Sequence, residues 1–189
     1  MPREIVVAMS GASGAPYGIK VLETLAKTDF RVHLVTTPTA ERILRYETGR
    51  DPADLRRLAH AVHAIDDFFA PIASGSHDFA GMIVAPCSMK TVGLIANGIA
   101  DDLIARTGDV CLKERRPLAL VVRETPLSTI HLRNMTTLSE AGATIVPAMP
   151  AFYTKPKSID DMVAYVAGKA LDALRVPHDL YPRWKPMPE

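Results

Sequence analysis

The chain has 189 residues, with 22 Lys or Arg against 21 Asp or Glu and a net charge of +1. That length suits one domain with a sizeable core and is short for two, and a balanced charge with no basic stripe interleaved with aromatics excludes nucleic acid as the expected partner. No apolar run approaches the ~20 residues a membrane helix needs, the first apolar stretch is too short for a signal h-region, and the two cysteines suit a reducing compartment, so a cytoplasmic protein without membrane contact is expected.

The first predicted strand, Ile5 to Met9, breaks into Ser10-Gly11-Ala12-Ser13-Gly14-Ala15-Pro16-Tyr17-Gly18. A buried strand that gives way to glycines and then a helix presents backbone N–H groups at a positive dipole end, a cradle for phosphate. The glycine spacing is not the G-x-G-x-x-G of dinucleotide sites. The second strand, Arg31 to Val35, also runs into Thr36-Thr37-Pro38, where an NAD site would place an acid. One phosphate is therefore expected rather than two. The helix between, about Ala15 to Lys27, sets Ile19, Leu22 and Leu25 on one face. Thr39 to Thr48 reads as a helix closed by Gly49, and Asp51-Pro52 opens another. Further strands are predicted at Met82 to Ala85, Leu118 to Val122 and Ala143 to Val146. Helices are predicted from Ser88 towards Asn97-Gly98, from Asp101 or Asp102, from Ser128 to Gly142, and from the capping signal at Ser158 to Leu174. Strands that are apolar on both faces and alternate with amphipathic helices predict an α/β fold, a parallel sheet covered on both sides. Residues 1–175 form the predicted domain. The tail from Val176 to Glu189 holds four prolines and the only tryptophan; it is expected to wrap over a surface rather than form an element, with a frayed end as the alternative to Tyr181 and Trp184 docking on a neighbouring subunit.

In an open α/β sheet ligands bind beyond the carboxyl ends of the strands. The residues that follow the strands are Ser13, Thr37, Ser88 with Thr91, and Arg123-Glu124. Hydroxyls, an arginine and helix N-termini on one edge suit a phosphorylated ligand with a flat ring. Serine and threonine at such places also serve as plain helix caps, and the agreement of four strand ends weighs for a site. Arg123-Glu124 is the strongest charged pair, with a structural salt bridge as its alternative. Glu47, at a helix end beside Tyr46, reads as a solvated surface acid. Arg106 to Arg116 reads as a helix with a charged, solvated face; Arg106 and Lys113, two turns apart, can also clamp a second phosphate at a subunit boundary. Asp101-Asp102 lacks the spacing of a metal cluster, the six histidines show no ligand spacing, and no metal is expected. Cys87 follows a buried strand with no evident base and reads as packing.

Taken together, several strings resemble the UbiX family of flavin prenyltransferases. They are Gly11-Ala12-Ser13-Gly14-Ala15, Ser74-Gly75-Ser76, Met82 to Thr91, Leu112-Lys113-Glu114-Arg115-Arg116-Pro117, Arg123-Glu124-Thr125-Pro126-Leu127 with His131-Leu132 and Asn134-Met135, and Pro150-Ala151-Phe152-Tyr153. They span nearly the whole chain in family order. The resemblance implies a three-layer Rossmann-like or flavodoxin-like sheet in a homo-oligomer, a dodecamer built from trimers, with FMN at subunit boundaries. It implies transfer of the dimethylallyl group of dimethylallyl phosphate to N5 and C6 of reduced FMN without a metal, and delivery of prenylated FMN to a UbiD-type decarboxylase.

Carried over by position, the flavin would be held by Gly11, Ala12, Ser13, Thr37, Ser88, Met89, Lys90, Thr91 and Arg123. The prenyl phosphate would be held by Ser74, Arg106, Lys113, Tyr153 and Lys169. Family members usually have arginine at this last position, and lysine keeps the charge without the bidentate fork. Glu47 and Glu124 would be the carboxylates, Ser13 and Tyr153 would assist, Trp184 would line the prenyl pocket, and Lys113 and Glu124 would form a network at the leaving group. Two other functions stay open on the sequence. A non-catalytic FMN carrier or decarboxylase accessory subunit would not need the cations as a set. A flavin-dependent cysteine decarboxylase would carry Pro-Ala-Ser-Ala-Asn-Thr where this chain has Pro86-Cys87-Ser88-Met89-Lys90-Thr91.

Overall fold

The computed structural model describes residues 3–184. Six parallel strands form one sheet in the order β3-β2-β1-β4-β5-β6: β1 Glu4–Met9, β2 Arg31–Thr36, β3 Ala61–His63, β4 Met82–Cys87, β5 Leu118–Val122 and β6 Thr144–Pro147. Between them run α1 Ala15–Leu25, α2 Pro38–Thr48, α3 Pro52–Arg56, α4 Met89–Ala96, α5 Leu103–Lys113, α6 Thr129–Glu140 and α7 Ile159–Ala173. Alternate residues of the central strands enter two separate cores. Ile5, Val7 and Met9 pack with α1, α2 and α7, whereas Val6 and Ala8 pack with α4 and α5. Both faces are thus covered, which is why β1, β4 and β5 read as continuous apolar runs rather than alternating ones. Among the described residues no helix is long and apolar enough to cross a membrane.

Local capping chemistry sets most helix starts. Thr37, Asp51, Ser88, Asp102, Ser128 and Ser158 each accept a backbone N–H of the first turn through the side chain. Two features depart from the sequence expectation. The edge strand β3 has only three residues and none of them is buried, too short for a periodicity to register. Helix α5 covers Leu103–Lys113 and stops there, and Arg115 adopts φ 55. The cations beyond it do not all lie on a solvated helix face. The Arg116 guanidinium donates to the carbonyls of His77 and Gly75 at 2.7 and 2.8 Å and lies over the Phe79 ring. Residues 176–184 form no helix or strand and pack on α7 of the same chain, with Val176 and Tyr181 buried; residues 185–189 lie outside the described part.

Candidate active site

The strand order reverses between β1 and β4, the place where an open α/β sheet leaves a crevice at its carboxyl edge. Ser10, 1% exposed, joins the two turns that border it. Its hydroxyl donates to the Pro86 carbonyl at 3.2 Å and accepts the Ser88 N–H at 2.8 Å. Gly14 then turns the chain into α1 with φ 114, a backbone that residues with a Cβ rarely adopt. The exposed Ser13 sits at this turn, and its carbonyl accepts the Nε–H of Arg123 at 3.2 Å.

The positive end of α1 is already filled. Gly14 and Ala15 donate their N–H groups to the Glu47 carboxylate at 3.0 and 2.9 Å. Glu47 is exposed, as the sequence suggested, but it has a partner the sequence did not show: the first cradle holds a side chain of the protein itself. Helix α2 places the carboxylate there. Its own C-terminal dipole disfavours the charge, and the N-terminus of α1 compensates. Tyr17 lies between the same groups. Burial pushes its hydroxyl pKa up, Arg123 opposes the shift and Glu47 adds to it.

The other hydroxyls flank this turn. Thr37 caps α2 by accepting the Ala40 N–H at 3.0 Å. Ser88 caps α4 by accepting the Thr91 N–H at 3.3 Å and lies 3.1 Å from the Thr91 hydroxyl. The cap role is therefore real for both residues. A cap uses an oxygen lone pair, so the Thr37 hydroxyl can still donate outward. Met89 and Thr91 are buried in the first turn of α4, and Lys90 is exposed. Two helix N-termini, their hydroxyls and Arg123 thus border one crevice, a donor set suited to a single phosphate with a ring beside it. Cys87 and Cys111 lie in the apolar interior, where burial pushes both thiols up, Cys111 to about 12; neither is a nucleophile at neutral pH.

A second group forms beside α5. Arg106 donates from Nε to the Ala73 carbonyl at 2.9 Å, and its guanidinium lies 3.6 Å from Asp109. Lys113 pairs with Glu114 at 2.7 Å, and a Cβ added to Gly75 would lie 2.9 Å from the Lys113 Nζ. Ser74, Arg106 and Lys113 are thereby gathered along one stretch of the surface. Glu124 is elsewhere. Lys113 ends the helix that leads into β5, whereas Glu124 follows that strand, so the two stand beyond its opposite ends. The expected Lys113–Glu124 network does not form within one chain. Glu124 is exposed, and its carboxylate accepts the Thr125 N–H at 3.2 Å.

The third group is aromatic. The Tyr153 ring meets Trp184 edge-on at 5.1 Å and Tyr165 at 6.0 Å. Lys169 lies 6.0 Å from the Tyr181 ring centroid and 3.9 Å from Asp172. Asp172 is the anchor. It accepts hydrogen bonds from the Tyr181 hydroxyl, from Arg183 at 2.8 Å and from His178 at 3.1 Å, and so pins the tail that carries Trp184.

Ser10, Tyr17 and Asp172 were not singled out from the sequence. Only Ser10 carried a signal, as the first polar residue after a buried run. The sequence also missed a fourth gathering, remote from the crevice, of Glu4, His33, His63 and His77.

A family model for flavoproteins matches residues 1–171. The chain is 50% identical over 180 residues to a flavin prenyltransferase UbiX of Methanothermobacter thermautotrophicus, across 95% of this chain and 94% of that one. Among solved structures it resembles AnUbiX (PadA1) in complex with FMN and dimethylallyl pyrophosphate, with a TM-score of 0.97 and 50% identity over 100% of both chains. It also resembles a dodecameric FMN-dependent Ubix-like decarboxylase from Escherichia coli O157:H7, with a TM-score of 0.94 and 44% identity over 97% of this chain and 100% of that one.

Proposed function

Because this chain belongs to the flavoprotein family and, within it, to the UbiX flavin prenyltransferases, we propose that it joins the dimethylallyl group of dimethylallyl phosphate to N5 and C6 of reduced FMN in the cytoplasm. Its product, prenylated FMN, passes to a UbiD-type decarboxylase. The observation that carries this reading is 50% identity over the full chain to a protein solved with FMN and a dimethylallyl ester.

The crevice suits FMN. It offers the Gly11–Ser13 turn, the hydroxyls of Thr37 and Ser88, the first turn of α4 through Met89, Lys90 and Thr91, and the Arg123 guanidinium. The bound flavin supplies the nucleophilic N5 and C6. Breaking an allylic C–O bond leaves positive charge on the prenyl group and negative charge on the departing phosphate. Arg106, Lys113 and Lys169 neutralise the phosphate, and the Ser74 hydroxyl donates a hydrogen bond to it. The faces of Tyr153 and Trp184 receive the cation and keep water away from it. Bonding at N5 releases the N5 proton; closing the ring adds a proton to the remaining prenyl double bond and removes one from C6, and Glu47, beside Ser13, and Glu124 are the carboxylates placed to move these protons.

This assignment requires a homo-oligomer. Ser74, Arg106 and Lys113 stand away from the crevice of their own chain, so a neighbouring copy brings them to it, and the Lys113–Glu124 contact forms between subunits. Tyr46, 94% exposed, and Phe69, fully exposed, are large surfaces that such contacts would bury. A dodecamer is the assembly proposed. The reaction is tested by mixing the protein with reduced FMN and dimethylallyl phosphate without oxygen and weighing the extracted flavin. A gain of one five-carbon unit is expected. Unchanged FMN, where an established family enzyme turns over, would leave only a flavin carrier.

A further inference from the structure

We propose that Glu4, His33 and His77 bind a divalent transition-metal ion of the zinc class, with His63 holding the ring of His33 in place. Three distant segments meet there: the start of β1, the middle of β2 and the turn before β4. The register of β1 on β2 puts Glu4 and His33 on the same face. The chain before β4 descends over them, because the Ala80 N–H donates to the Glu4 carbonyl at 2.7 Å. The His33 and His77 Nε2 atoms then lie 2.9 and 2.7 Å from the same carboxylate oxygen, Oε2 of Glu4. All three ligand atoms lie within 4.8 Å of one another, and among the described residues no other such group converges.

Two imidazoles and a carboxylate are the donors that zinc and its neighbours favour. Ligands at about 2.0–2.2 Å from a tetrahedral ion sit roughly 3.3 Å apart, so an opening of about half an ångström accommodates one. The ion takes the place of the two Nε2 protons, each of which passes to Nδ1 of its own neutral ring, or leaves to solvent where the ring was an imidazolium. His33 would not lose its orientation in the exchange. Its Nδ1 lies 2.9 Å from His63 Nε2 with the ring planes within 5° of parallel, the kind of outer partner that a ligating imidazole needs. Arg31 stands 3.9 Å from the other carboxylate oxygen, Oε1, and leaves Oε2 to the ion. A cleft of about 520 Å³ bordered by Arg31, His77 and Phe79 opens beside Glu4, which gives the ion a way in and a water for its fourth position. The spacing of the histidines in sequence carries no hint of this site, since the fold alone assembles it. One consequence is local: the His77 N–H donates to the Ser74 carbonyl at 3.3 Å, so the ion would clamp the turn that carries Ser74.

The test uses tag-free protein stripped with a chelator and titrated calorimetrically with Zn²⁺, in the wild type and in Glu4→Gln and His77→Gln. Melting of each metal-free protein first establishes that it is folded. One Zn²⁺ per chain and a raised Tm are expected for the wild type, with both lost in each variant. His63→Ala, which removes only the outer partner, weakens binding about 10- to 100-fold. Absence of binding in the wild type, or binding that survives either ligand substitution, would overturn the proposal.

Discussion

Replacing Ser10 by alanine tests how the crevice is held together. The hydroxyl is buried and makes two hydrogen bonds, to the Pro86 carbonyl at 3.2 Å and from the Ser88 N–H at 2.8 Å. Pro86 keeps a second donor, the Ser10 N–H at 3.1 Å, whereas the Ser88 N–H is left without an acceptor. One lost bond costs about 1 kcal/mol and a stranded, largely buried donor about 1–2 more, so a net loss of about 2 kcal/mol is expected. For a chain of this length each kcal/mol is worth about 2–4 °C, which puts the fall in Tm at about 4–8 °C. The same change frees the Ser88 turn, and FMN affinity falls by roughly tenfold if about 1.4 kcal/mol of the loss reaches the ligand. Calorimetric melting and flavin titration at equal protein concentration read both effects. A Tm within about 1 °C of wild type and unchanged FMN affinity would refute the role of Ser10 as the tie between the two turns.

Glu47→Gln keeps a hydrogen-bond acceptor for the start of α1 but removes the base, so prenylation slows by about 10²–10⁴-fold while Tm changes little; a wild-type rate would leave Glu47 a cap only. Lys113→Ala and Glu47→Ala are each expected to be inactive alone. Subunits of the two, unfolded and reassembled together, should regain part of the wild-type rate, because some sites then receive both intact groups; a mixture as inactive as its parts would place the site within one chain. Burial raises the Asp172 carboxyl pKa, but hydrogen bonds from Tyr181 and Arg183 and the nearby positive charges outweigh this and hold it below the usual value. Its contribution to stability is therefore present above the ordinary aspartate range and lost as pH falls through the folded pKa. The Tm gap between wild type and Asp172→Asn should be full at pH 7 and close below about pH 4; a gap that widens in acid would contradict it.

What the sequence revealed was what local chemistry encodes. Ser88 and Asp102 announced helix starts because a cap is written within three residues of the helix it closes. The turn from Gly11 to Gly18 announced a site at the carboxyl edge because β1 is apolar on both faces up to Met9. The partner of Glu47 stayed hidden for the opposite reason: it meets Gly14 across 33 positions, and nothing near it in sequence marks that contact. The same holds for His33 and His77, which share Glu4 only after three segments have folded together. β3 was invisible because a three-residue edge strand has no period to detect. Lys113 and Glu124 were joined by analogy, and the single chain then set them beyond opposite ends of β5.

The central claim, that a flavin is the substrate and acquires two new bonds, is tested most directly by nuclear magnetic resonance of the flavin made anaerobically from ¹³C-labelled dimethylallyl phosphate. Labelled carbons bonded to N5 and to C6 are the expected result. Label that stays with the donor, or a flavin recovered without it, would contradict the account.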